Sequence, residues 1–185
     1  MGFLVSVYGA AASVLTGSTA KPIQLDDMGN ESNNYAMIES AILKKYSLFD
    51  GLENEQIERI LPLMEHEIFE AGTDIIVEGS LSSRMRVILE GQVAVVKEGV
   101  ILMEFGEGDV FGEMEVLDVG PVEATIKAII PTSVIALSID ALGEIYENNL
   151  EIYSFILMNL ARDLSRRLRR MNSKAVSHSP FMEWN

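Results

Sequence analysis

The middle of the chain is a series of short apolar runs separated by glycines. Eight of the fourteen glycines fall between Gly72 and Gly120. The runs themselves cover residues 74–77, 85–89, 93–97, 100–105, 124–130 and 133–137. Short strands at a spacing of about 8–12 residues are typical of a β-sandwich or barrel. The pair Glu98-Gly99 lies between two runs and predicts a tight hairpin turn.

Helical periodicity flanks this region on both sides. Two short amphipathic helices are predicted before it, one at residues 35–46 and one carrying Ile57, Ile60, Leu61 and Met64. After it, one long helix is predicted at residues 141–171, with the apolar stripe Ile145, Ile152, Ile156, Leu160, Leu164, Leu168 and Met171. Such a helix measures about 45 Å, which is longer than one small domain can cover. The predicted fold is therefore mainly β, with flanking α-helices.

The pattern divides the chain into four parts. We predict an apolar N-terminal arm and polar linker at residues 1–34, helices and a β-domain at 35–140, the long helix at 141–172, and a tail at 173–185. Residues 2–17 contain no charged side chain. We expect them to be a docking arm whose contacts include Phe3, Leu4, Val5 and Tyr8. An export signal, a membrane-surface segment and plain local structure stay open as alternatives, so membrane association is not excluded.

Charge is distributed unevenly along the 185 residues, whose formal net charge is −14. Residues 157–185 carry six Lys or Arg and two acids, which gives +4, so the rest of the chain carries −18. An acidic body opposes binding to a phosphate backbone, and no sequence-specific DNA binding is expected. The chain has no cysteine and two histidines, which argues against thiol catalysis and a histidine-based metal site. No catalytic residue is predicted.

The most specific motif opens with Phe111, Gly112, Glu113 and Met114. It closes with the five residues Pro121, Val122, Glu123, Ala124 and Thr125. This segment resembles the phosphate-binding cassette of the cyclic nucleotide-binding domain family, whose fold is a β-roll of the catabolite activator type. The resemblance covers roughly residues 47–172. It implies a β-roll of about eight strands, a cyclic nucleotide as ligand, and a long final helix that acts as lid and dimer helix.

The chain departs from the family pattern at the phosphate. The resemblance implies an arginine at Val122 to pair with the cyclic phosphate, and a small residue at Glu123 and Glu115. Glu113 is the family's partner for the ribose hydroxyl. A missing cation and two added carboxylates both weaken the binding of an anion. The cassette is therefore predicted to be degenerate, with no cofactor.

These observations favour a non-catalytic regulatory or scaffold subunit that acts through protein–protein association. We expect a cytoplasmic protein that binds a partner, or itself, through the N-terminal arm and through Ile156, Leu160, Leu164 and Leu168 of the long helix. About fourteen residues follow that helix, too few for a helix-turn-helix unit, so the output is expected to pass through a partner. The alternatives are a sensor of cyclic AMP or cyclic GMP, and a module for a different, cationic or neutral, small ligand.

Overall fold

The computed structural model describes residues 40–118 and 120–178. A helical turn at residues 40–43 opens the described part. The strands are β1 (Met64–Phe69), β2 (Asp74–Ile76), β3 (Arg84–Glu90), β4 (Val93–Lys97), β5 (Val100–Phe105), β6 (Val110–Phe111), β7 (Thr125–Ala128) and β8 (Thr132–Ser138). The other helices are α1 (Asn54–Ile60), α2 (Met114–Leu117), α3 (Ile139–Asn148) and α4 (Leu150–His178). None of the helices described is long and apolar enough to cross a membrane.

The strands form two antiparallel four-stranded sheets, which confirms the predicted fold class. Their orders are β1-β8-β3-β6 and β2-β7-β4-β5. The predicted hairpin joins β4 to β5, and both turn residues have positive φ, 52° at Glu98 and 78° at Gly99. Two positive φ values are what the tightest hairpin turns require. Strands β1 and β6 were not among the predicted runs.

Two apolar cores lie on opposite sides of the first sheet. The helix-side core joins Met85, Val87, Val110 and Leu137 to the helices. The roll core lies between the two sheets and is formed by Ile76, Ile88, Val93, Phe105, Phe111, Val122, Ile126 and Val134. Alternate residues of a strand face opposite sides of a sheet. Strand β3 therefore contributes to both cores, with Val87 on one side and Ile88 on the other.

The predicted long C-terminal helix is confirmed, but the predicted range of residues 141–171 is divided between two helices, α3 and α4. Helix α3 ends at Asn148, and Asn149 leaves the helical conformation with φ −154° and ψ 81°. The Asn149 side chain then accepts a hydrogen bond from the backbone N–H of Ile152 at 3.3 Å. An asparagine that accepts from the first turn is a common helix N-cap. Helix α4 has 29 residues and is about 43 Å long.

The first half of α4 is anchored in the helix-side core. Ile152, Ile156 and Leu160 are almost completely buried there. Asn159 is also buried, and its side-chain nitrogen donates to the carbonyls of Leu48, at 3.0 Å, and Asp50, at 2.7 Å. Apolar packing and these two hydrogen bonds together fix the position of α4 against the segment that precedes α1.

Replacement of Asn159 by alanine should cost about 1–3 kcal/mol of unfolding free energy, because the buried Leu48 carbonyl and the partly buried Asp50 carbonyl then lose their donor. Asn148→Ala is a matched control, since the Asn148 side chain is exposed and donates to Glu144 within its own helix. The control should change stability by no more than about 0.5 kcal/mol. Urea denaturation followed by circular dichroism measures both, and equal losses in the two variants would contradict the anchoring role of Asn159.

Candidate functional site

The backbone of the cassette passes from β6 through a sharp turn into the four-residue helix α2. Gly112 makes that turn with φ 72°. A Cβ atom at Gly112 would lie 2.7 Å from the Arg84 carbonyl oxygen and 3.0 Å from Ile76 Cδ1. Only glycine therefore satisfies both the conformation and the close approach. Phe111, which precedes it, is buried in the roll core.

Val122 lies in the roll core, with 3% of its surface exposed. Its backbone is held by the loop after β2, because its N–H donates to Ser80 at 2.9 Å and its carbonyl accepts from Gly79 at 2.8 Å. The side chain belongs to the same buried cluster as Ile76, Phe111 and Ile126. The position that the resemblance assigns to the phosphate cation is therefore part of the apolar interior.

The remaining cassette side chains are less enclosed. Pro121 and Glu123 are exposed, Met114 is 60% exposed, and Ala124 is half-buried. Thr125 accepts a hydrogen bond from the backbone N–H of Glu78 at 3.1 Å, which ties β7 to the end of β2. Residue 119, within the cassette, lies outside the described residues.

Two arginines on the neighbouring strand β3 are paired with carboxylates of β1. Arg84 lies 2.6 Å from Glu65, and the Nε atom of Arg86 donates to Glu67 at 2.6 Å. Arg84 also contacts Glu67 at 3.1 Å. Their charges are compensated across the first sheet, as expected if neither arginine replaces the missing cassette cation.

Glu113 is buried and is bound by a side chain from α4. The Nη1 atom of Arg167 donates to Glu113 Oε1 at 2.9 Å, and its Nη2 atom donates to the Val110 carbonyl. Asp163 lies one turn earlier on α4, and its Oδ2 atom forms an ion pair with Arg167 Nη2 at 2.6 Å. The guanidinium carbon also lies 4.5 Å from the centre of the Phe105 ring. A buried guanidinium thus joins α4 to the cassette.

Burial is the main electrostatic influence on Glu113. Desolvation raises the pKa of its carboxyl above the ordinary value of 4.5, and the nearby charge of Arg167 opposes this by lowering it. A hydrogen bond from its own backbone also lowers the pKa, whereas Asp163 and Glu115 raise it. The net direction is upward, so the cost of burying the charged carboxylate exceeds the compensation from the guanidinium.

The predicted interface residues on α4 fall into different environments. Ile156 and Leu160 are buried in the chain's own helix-side core, which corrects their assignment to a partner surface, and Leu164 is partly buried against that core. Leu168 is 59% exposed. The predicted arm residues Phe3, Leu4, Val5 and Tyr8 lie outside the described residues.

Helix geometry explains why the sequence analysis missed Arg167. Steps of four residues, as from Ile156 to Leu168, drift around the helix by about 40° each, because one turn contains 3.6 residues. Alternating steps of four and three residues stay on one face and lead from Ile156 through Leu160 and Asp163 to Arg167. Those four side chains are buried. The i,i+4 spacing of Asp163 and Arg167 on this face was the available signal.

The raised pKa of Glu113 predicts how stability depends on pH. A carboxyl with a higher pKa in the folded chain holds its proton more tightly there, so its contribution is complete below the unfolded pKa and is lost as pH rises through the folded pKa. Glu113→Gln removes this titration. The unfolding free energy of the wild type relative to Glu113→Gln should therefore fall as pH rises from the ordinary carboxyl pKa of 4.5 towards neutral pH. Denaturant titrations across that range test it, and a difference that is constant or grows with pH would be inconsistent with a buried, destabilised carboxylate.

Comparison with known proteins agrees with this architecture. Residues 66–149 match the family model described as the cyclic nucleotide-binding domain. The chain is 28% identical over 137 residues to a CRP-like cAMP-activated global transcriptional regulator of Mycobacterium tuberculosis, a match covering 71% of this chain and 59% of the regulator. It is 30% identical over 116 residues to a cAMP-dependent protein kinase regulatory subunit of Eremothecium gossypii, covering 62% of this chain and 22% of the subunit.

A solved structure shares the fold over most of the described region. A cyclic nucleotide-binding domain from Methylobacillus flagellatus superposes with a TM-score of 0.71 at 25% identity, covering 83% of this chain and 89% of that domain. The match to the first curated relative spans about three-fifths of that protein's length. The family match, the curated relatives and the shared fold all agree with the resemblance of the cassette to that of cyclic nucleotide-binding domains. Residues 66–149, which form most of the β-roll, therefore match the cyclic nucleotide-binding domain family.

Proposed function

We propose that this chain is a non-catalytic regulatory or scaffold module that works without a bound cyclic nucleotide and acts by associating with protein. The observation that carries this proposal is the burial of Val122 in the roll core, where the family resemblance requires a cation for the phosphate. A buried anion needs a cation or several N–H donors. An apolar side chain supplies neither.

The energetic penalty for a cyclic phosphate shifts micromolar binding towards the millimolar range. Loss of one hydrogen bond to a charged group costs about 1.5–3 kcal/mol. Each 1.4 kcal/mol is about a tenfold change in the dissociation constant. Glu115 and Glu123 add negative charge to the same segment. Glu113, the family's ribose partner, is already engaged by Arg167.

Association through α4 is supported by its exposed apolar side chains. Met158, Leu168 and Met171 are each more than half exposed, on a helix whose first half is packed in the chain's own core. Exposed apolar groups of this size on a helix favour a helix–protein contact. The two curated relatives are, by name, a transcriptional regulator and a kinase regulatory subunit, which supports a regulatory role for this module. The rival function is a cyclic-nucleotide sensor.

Calorimetric titration distinguishes the proposal from its rival. The wild type should show no saturable binding of cyclic AMP or cyclic GMP below about millimolar concentration, because the phosphate lacks its cation. The double variant Val122→Arg with Glu123→Ser should bind more tightly than the wild type. A micromolar dissociation constant for the wild type would overturn the proposal. A correctly folded double variant that gains no affinity would show that packing, and not charge alone, closes the site.

A single exposed leucine tests association through α4. Leu168→Asp places a charge on the exposed end of α4 and should shift the protein towards the monomer in light scattering, because burying an unpaired charge at an interface is costly. Leu81→Asp is the matched control, since Leu81 is 82% exposed in the loop between β2 and β3. This control should keep the wild-type molar mass. A wild type that is monomeric at high concentration would refute self-association and leave a different protein as the only partner.

A further inference from the structure

We propose that this chain forms a two-fold dimer in which an acidic face of α3 in one copy packs antiparallel on a basic face of α4 in the other. The acidic face consists of Ile139, Asp140, Tyr146 and Glu147, and the basic face of Ala161, Arg162, Leu168 and Arg169. All eight side chains are exposed in the single chain. The inference rests on the proposed function, because it names the protein with which α4 associates.

The two faces have the same spacing. On α3 the pairs 139–140 and 146–147 are seven residues apart, and on α4 so are the pairs 161–162 and 168–169. Seven residues make about two turns, so each face repeats after roughly 10 Å. In every pair the charged residue directly follows an apolar one, which is a rotation of about 100° in the same direction. The charged row therefore lies on the same side of the apolar row in both helices.

This arrangement selects an antiparallel contact between α3 and α4. Two helices that pack in opposite directions bring their equivalent flanks together, and charges on such flanks set the partner and its orientation. Asp140 then lies opposite Arg169, and Glu147 lies opposite Arg162. Between the charged rows the large Tyr146 meets the small Ala161. Parallel packing would instead turn the acids away from the arginines.

The surface of α4 has a groove where the tyrosine would enter. Its lining residues are Met158, Ala161, Arg162, Ser165, Arg166 and Arg169. Small side chains at 161 and 165 allow a neighbouring helix to approach closely. Tyr146 is 55% exposed, and its ring packs edge-on against Tyr153 with 5.2 Å between the ring centres. An aromatic ring that lies beside arginines also gains a cation–π attraction.

Charge complementarity identifies the occupant of the groove as a second copy of the chain. Among the described residues, none of the four charged members of the two faces forms an ion pair within the chain. After Glu151 the only acid of α4 is Asp163, which is buried and paired with Arg167. The basic face is therefore exposed on a chain whose formal net charge is −14, which attracts it to another copy. A two-fold axis makes the contact twice, so both faces of both copies are covered.

Reciprocal charge reversal tests the dimer by light scattering. The wild type should have the molar mass of two chains. Arg162→Glu with Arg169→Glu should weaken the dimer roughly hundredfold or more, and so should Asp140→Lys with Glu147→Lys, because like charges then oppose each other. An equimolar mixture of the two variants should dimerise again, since both contacts of the mixed pair regain opposite charges. Variants that stay dimeric alone, or a mixture that stays monomeric, would overturn the proposal.

Two further variants control for net charge and for folding. Lys45→Glu with Arg59→Glu changes two exposed cations outside the faces, which takes the formal net charge from −14 to −18 as the arginine variant does. This control should remain a dimer. A chain with all four interface reversals keeps −14 and should dimerise as the wild type does, which also shows that the altered helices fold. A monomeric control would mean that net charge governs association, and the two faces would lose their role.

Cross-linking tests the antiparallel orientation. The chain has no cysteine, so an introduced thiol reports on its own position only. Tyr146→Cys mixed with Ala161→Cys should form an intermolecular disulfide under mild oxidation. Ala161→Cys alone should not cross-link, because α4 faces α3 and not the other α4. Leu81→Cys mixed with Ala161→Cys is the control and should not cross-link. A cross-linked dimer of Ala161→Cys, or no disulfide in the first mixture, would contradict the contact.

These experiments separate the dimer from the proposed function. A wild type that is monomeric at high concentration overturns the dimer, and it leaves both nucleotide independence and a different protein partner in place. A micromolar dissociation constant for cyclic AMP refutes nucleotide independence, whereas the charge reversals still decide the dimer.

Discussion

The buried face of α4 is the constraint on which the arrangement of the site depends. Up to Leu160 this face is apolar and packs in the helix-side core. One turn later the same face carries Asp163 and then Arg167, which remain buried. Polar groups that a helix carries into a dry region need partners there. For Arg167 these partners are Glu113 of the cassette and the carbonyl of Val110, which precedes it, whereas the Nε atom of Arg167 and the Oδ2 atom of Asp163 are buried without a hydrogen bond.

Several residues of the cassette make contacts that the fold itself requires. Gly112 is required by its positive φ and by its contact with the Arg84 carbonyl. Phe111 and Val122 are members of the roll core, and Thr125 ties β7 to the end of β2. These roles explain why the fold requires these residues of the cassette.

Sequence analysis predicted the fold well where backbone geometry restricts the type of residue. It predicted the site poorly where a side chain is positioned by a contact with residues distant in the sequence. Glycine turns and apolar runs located six strands, but β6 has only two residues, and β1 has no buried residue and is half polar. The break at Asn149 interrupts an apolar stripe that continues on both sides. Arg167 was counted among the basic residues of a helix end, because its partners Glu113 and Phe105 lie more than fifty positions away in the sequence.

A buried ion pair of this kind contributes more to specificity than to stability. Dehydrating Glu113 is costly, as the upward shift of its pKa indicates, and an apolar trio of similar volume would pack as well. An apolar stripe, however, tolerates small rotations and shifts of a helix, because dispersion contacts are not directional. A forked guanidinium between Glu113 and Asp163 accepts one register only. The charged end of the buried face therefore defines the angle and the depth at which α4 crosses the cassette. This angle and depth in turn set the direction in which the exposed end of α4 points.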